Sequence, residues 1–160
     1  MSKLPKIKWD QDGDAAVNAR KHLPLLVSNY FELCREVLAG QPEPAALHPL
    51  RLATKQLRYT LELFKPCYGP GLKTRLADLH ALQQVLGDVN DTVAAAQVLS
   101  EFWQAKTPER ARVEKYLRQR GQAKVREFRE HWTVAFDAPG QDRWWTNYLA
   151  RHSRRPSRKS

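Results

Sequence analysis

What most limits the folds open to this chain is the spacing of its apolar side chains. From residue 14 to residue 136 they return at every third or fourth position, the repeat of one face of an α-helix. No stretch shows the strict alternation that a half-buried strand needs. The predicted first helix spans about 14–39, with Ala16, Leu23, Val27, Tyr30, Cys34 and Val37 on one face. Pro24 should kink it or lift its first turns away. After Gln41-Pro42-Glu43-Pro44, a second helix covers about 45–65 and aligns Leu47, Leu50, Leu57, Leu61 and Phe64. A third runs from about 72 to 86 through Leu72, Leu76, Leu79, Leu82 and Leu86. Gly87 is expected to cap it, and Asp88 to open a fourth helix reaching about Lys106. Thr107-Pro108 has the form of an N-cap followed by proline at the first turn. The fifth helix it opens should end near Phe136, with a short closing segment at Trp144–Arg151.

The expected fold is therefore all-α, an antiparallel bundle of four to five main helices. Residues 1–13 read as a flexible leader, 14–150 as one domain, and 151–160 as a disordered basic tail whose removal should cost no core contact. At 160 residues the chain is long enough to bury a core without staples. Its two cysteines, Cys34 and Cys67, make neither a disulfide framework nor a metal set, which points to a reducing cytoplasm. No apolar run is long enough to span a membrane. The five histidines are scattered, so a catalytic or metal centre is not expected, nor a cofactor.

Charge narrows the choice of partner. Lys and Arg number 27 against 17 acids, a net charge of +10, which favours polyanions. On the second helix His48, Arg51, Lys55 and Arg58 form one stripe beside the apolar face. Ten residues of helix give that stripe about 15 Å of length, which suits a chain of phosphates better than a single small anion. No acid occurs between residue 44 and residue 61, and Glu62 closes the stripe at its far end. On the fifth helix Arg120 and Lys124 fall on the inward arc with Leu117, Gly121, Phe128 and Trp132. Arg112, Lys115, Arg118, Arg126 and Arg129 should face water. Inward cations on two helices suggest one shared basic groove, and Gly121 should admit another element or a ligand close to the backbone. The alternative partner is nucleic acid, served by the basic tail and by Trp144 and Trp145 as stacking platforms.

Two segments resemble a known family. The run His48-Pro49-Leu50-Arg51 through Lys55-Gln56-Leu57-Arg58-Tyr59 and on to Phe64 resembles the first signature of the conserved histidine α-helical domain, CHAD. The run Leu79-His80-Ala81-Leu82-Gln83 through Gly87-Asp88-Val89-Asn90-Asp91 is similar to the second. The resemblance implies a helical bundle that binds inorganic polyphosphate through basic residues, often at polyphosphate granules. It places the binding positions at His48, Arg51, Lys55 and Arg58, with His80 where the family often has lysine. Asp91 matches the family's acid, expected to cap and to orient a neighbouring cation. Family members usually carry two similar helical halves around a basic pore, and this chain matches the second half. Two copies would then rebuild both walls as a homodimer.

Overall fold

The computed structural model describes residues 3–151 and 153–154. Five α-helices follow one another: α1 (Ala15–Leu38), α2 (His48–Leu63), α3 (Pro70–Phe102), α4 (Pro108–His131) and α5 (Gln141–Arg151). A 3-10 turn, Pro44–Leu47, leads into α2, another, Lys65–Cys67, follows it, and a π-helical turn, Trp132–Phe136, prolongs α4. No strand occurs among the described residues. Contacts between neighbours run antiparallel. Arg58 of α2 meets Gln83 of α3, Thr92 and Asp88 of α3 meet Gly121 and Lys124 of α4, and Arg35 of α1 meets Asp142 of α5.

Two helix starts carry side-chain caps, the one at Thr107 as its sequence signal indicates. The Asp14 carboxylate accepts from the Ala16 N–H at 2.7 Å, and the Thr107 hydroxyl accepts from the Arg110 N–H at 3.2 Å. Pro24 lies inside α1, where it cannot donate to the Arg20 carbonyl. The expected lifting of the first turns does not happen. Ala16, Ala19 and Leu23 before it are as buried as Leu26 and Val27 after it, because the apolar face packs along the whole helix.

One boundary differs from the expectation. Gly87 does not end a helix and Asp88 does not start one; α3 runs unbroken for 33 residues. A C-terminal glycine cap requires the left-handed conformation, and among the described residues only Gly140 has a positive φ. The buried stripe Leu79, Leu82, Val85, Leu86 and Val89 crosses the glycine without a break. Packing of that stripe keeps the helix going through a weak helix former. Beyond Thr92 the helix leaves the core, and Val98 and Phe102 are exposed together with Tyr116 on the facing part of α4.

Both chain ends are more tightly held than expected. Leu4 belongs to the core, and Trp9 packs against His22 and Phe64 with ring centroids 5.3 and 5.1 Å apart. Asn18 pins the entry to α1, accepting from the Asp10 N–H at 3.0 Å and donating to the Asp10 carbonyl at 2.9 Å. At the other end the buried Ser153 hydroxyl donates to the Ala16 carbonyl at 2.9 Å, and the Arg154 N–H donates to the Cys67 carbonyl at 2.7 Å. The expected disorder of the tail therefore fails at Ser153 and Arg154. Residues 1–2, 152 and 155–160 lie outside the described residues.

Gly121 has the role its position suggested. A Cβ there would stand 2.9 Å from both Pro44 Cγ and Thr92 Oγ1, so α4 closes on the 3-10 turn and on α3 only because the side chain is absent. The proline ring cannot swing aside. Gly121→Ala should therefore destabilise the fold by roughly 1–3 kcal/mol, the usual cost of overpacking. Denaturant unfolding measures it, and an unchanged midpoint would show that the helices part freely.

Candidate functional site

The apolar edge of α2 is narrow. Leu50, Ala53, Thr54, Leu57 and Leu61 are buried, and the cationic stripe lies immediately beside them. Because α3 packs along that same edge, the stripe stands at the α2–α3 seam rather than on an open face. A groove of about 360 Å³ opens there, with His48 and Arg51 on one wall and Asn90, Ala94 and Gln97 on the other. No carboxylate lines it. Arg51 is half-buried, and neither Arg51 nor Lys55 has an ion-pair partner among the described residues. An arginine with no counter-charge of its own, on a groove without carboxylates, leaves this wall electropositive and suited to an anion.

Arg58 marks the other end of the stripe and is already engaged. Its Nε donates to Gln83 Oε1 at 2.7 Å, and its Nη1 pairs with Glu62 at 2.6 Å. The guanidinium lies 4.5 Å from the Tyr59 ring centroid, with Lys55 Nζ 5.7 Å from the same ring. His48 lines the groove and is exposed, Lys55 is exposed one turn beyond Arg51 on α2, and His80 is exposed one turn before Gln83 on α3. The first-signature residues are thus brought together, and His80 sits beyond their Arg58 end.

Arg120 and Lys124 do not join them. Lys124 bridges Glu127 at 2.8 Å and Asp88 at 3.2 Å on the flank of α3 that faces α4. On α3 that flank is roughly opposite the one carrying Gln83 and Asn90. Arg120 is exposed, and neither residue lines the α2–α3 groove. The hydrogen bond to Glu127, followed by that to Asp88, holds the Lys124 ammonium pKa above its ordinary value. One shared groove drawing cations from α2 and α4 is therefore not what the fold builds, because α3 stands between them. Asp88, not Asp91, orients a cation; Asp91 is exposed in mid-helix, with no helix start to cap.

Sequence reasoning passed over the amides of the opposite wall. Gln83, Asn90 and Gln97 recur every seven residues, one line along a helix, and that polar line beside a buried leucine stripe was the available signal. It also assigned Arg129 to open water. Arg129 instead donates to the Leu38 and Gly40 carbonyls, both at 2.6 Å, and so closes the C-terminal end of α1. The tryptophans fare differently from the stacking expectation. Trp145 is buried, and Trp144 lies between the Arg75 guanidinium at 4.0 Å and the Tyr148 ring at 4.8 Å.

Glu62 competes with any anion for Arg58. Glu62→Gln should raise affinity for inorganic polyphosphate by about two- to fivefold, the worth of a partly exposed pair, and shift unfolding by less than about 1 kcal/mol. Isothermal titration tests the sign; weaker binding by the variant would show that Glu62 holds Arg58 in its binding pose.

With this geometry in hand, comparison with known proteins is informative. The family model for the CHAD domain matches residues 8–100, more than half of the chain, and the chain belongs to that family. The match takes in α1, α2 and nearly all of α3, and it ends before α4 begins. No curated protein and no solved structure matches. No helix among the described residues is long and apolar enough to cross a membrane.

Proposed function

We propose that this CHAD-family chain binds inorganic polyphosphate along the α2–α3 seam, and that it holds the chain without transforming it. One observation carries the reading: Arg51 is half-buried in a groove that contains no carboxylate. The other half-buried arginines among the described residues are engaged: Arg58 pairs with Glu62 at 2.6 Å and Arg110 with Glu114 at 2.8 Å, Arg129 donates to the Leu38 and Gly40 carbonyls, and Arg75 lies 4.0 Å from the Trp144 ring centroid. Successive phosphates supply the missing counter-charge along the helix axis, where His48, Arg51, Lys55 and Arg58 follow one another. The amides of Asn90 and Gln97 donate to anionic oxygens on the opposite side.

Recognition rests on phosphate rather than on bases. Trp144, which the sequence offered as a stacking platform, is engaged by the Arg75 guanidinium and the Tyr148 ring, and no Phe, Tyr or Trp side chain lines the groove. In competition, long-chain polyphosphate should displace a bound oligonucleotide far more readily than the reverse.

Replacing Arg51, Lys55 and Arg58 together with glutamine should weaken polyphosphate binding by at least about a hundredfold, since each charge-assisted contact contributes roughly 1.5–3 kcal/mol. Helicity should be unchanged by circular dichroism, because none of the three anchors the core. Affinity of the parent chain should fall steeply as salt rises. Normal binding by the triple variant would remove the site from this groove.

A further inference from the structure

Three glycines lie within helices, and two are explained by their neighbours. A Cβ on Gly121 would press on Pro44 and Thr92, and one on Gly71 would stand 3.2 Å from the Tyr148 hydroxyl. Gly87 is different. No heavy atom lies within 4 Å of the place its Cβ would take, its own helix backbone and chain neighbours apart, and its φ is not positive. A glycine inside a helix costs stability relative to alanine. Neither packing nor backbone conformation within the chain requires it here.

Its position shows what does. Gly87 comes four residues after Gln83 and three before Asn90, on the same side of α3. Gln83 holds Arg58, and Asn90 shares the groove with Arg51. The antiparallel register therefore brings Gly87 level with Thr54 and Lys55, midway between the two guanidinium groups. Thr54 is buried and bonded to Tyr30 at 2.8 Å, and Lys55 is exposed, its Nζ 5.7 Å from the Tyr59 ring centroid on its own helix.

We infer that Gly87 is a bare saddle across which an extended phosphate chain passes from the Arg51 end of the seam to the Arg58 end. This rests on the polyphosphate reading above and adds to it a residue that sets chain-length preference. The Gly87 N–H is spent within the helix, so the glycine contributes space rather than a hydrogen bond. With no side chain there, phosphate oxygens lie against the α3 backbone, and the exposed Lys55 one turn from Arg51 supplies a cation from α2. The two ends are seven residues of α3 apart, about 10 Å. A three-phosphate chain settles at one end and has no need of the saddle. A long chain gains both ends only by crossing it, so a side chain at position 87 cuts the seam in two.

The test compares Gly87→Leu and Gly87→Ala with the parent chain, using tripolyphosphate and long-chain polyphosphate as ligands. Gly87→Leu should lower long-chain affinity by at least about tenfold, the loss of one charge-assisted contact or more, and leave tripolyphosphate unchanged. Gly87→Ala should melt at a higher temperature than the parent while binding the long chain less well. Unchanged long-chain binding by Gly87→Leu, a parallel loss for both ligands, or a lower melting temperature for Gly87→Ala would each overturn the saddle. The triple variant of Arg51, Lys55 and Arg58 separates the two levels. If it has lost binding while Gly87→Leu has not, the groove stands and only the saddle falls.

Discussion

The structure turns on α3 serving two neighbours at once. Its buried leucines form a common floor, with α2 packed on one flank and α4 on the other. That arrangement divides the cations of the molecule. Those of α2 meet an amide-lined flank with no carboxylate, whereas Lys124 of α4 meets Asp88 and Glu127 and is neutralised locally. Similar side chains have different fates because one helix presents different chemistry on its two sides. The aromatic cluster of Phe31, Trp132, Phe136 and Trp145, with the salt bridges of Arg35 and the carbonyl clamp of Arg129, ties α1 to the α4–α5 end.

Two features of that seam are poor choices for stability alone. Arg51 is half-buried without an ion-pair partner among the described residues, and Gly87, a weak helix former, stands in mid-helix without a steric reason. Both lie along the α2–α3 seam. Choices that cost stability and fall together at one place are what the proposed binding at the seam would require. Arg58 shows the intermediate case: Glu62 and Gln83 hold its guanidinium in place, and an arriving anion competes with the carboxylate.

Much of this was legible in the amino-acid sequence. Leucine spacing specified the helices, and Thr107 announced the start of one of them. The run free of acids from residue 44 to residue 61 exposed the stripe on α2. Illegible were the features set by the partner across a contact. Gly87 has the form of a helix stop, and only the leucine stripe packed under it decides that α3 continues. Lys124 falls on an inward arc, but which acid it meets depends on the angle at which α4 crosses α3. Arg129 faces outward on a helical wheel and still finds the carbonyls of Leu38 and Gly40, from a helix that ends about ninety residues earlier in the chain. Ser153 and Leu4 look like parts of loose ends because nothing local signals their burial.

Chemical-shift mapping tests the central claim most directly, since it lets the protein report where the ligand lies. Long-chain polyphosphate titrated into isotopically labelled protein should move the backbone amides of residues 48–58 on α2 and 83–97 on α3 most strongly. The amides around Arg112, Lys115 and Arg118 on the wet face of α4 should move little. Perturbations centred on that face of α4, or spread evenly over every basic surface, would contradict a site at the α2–α3 seam.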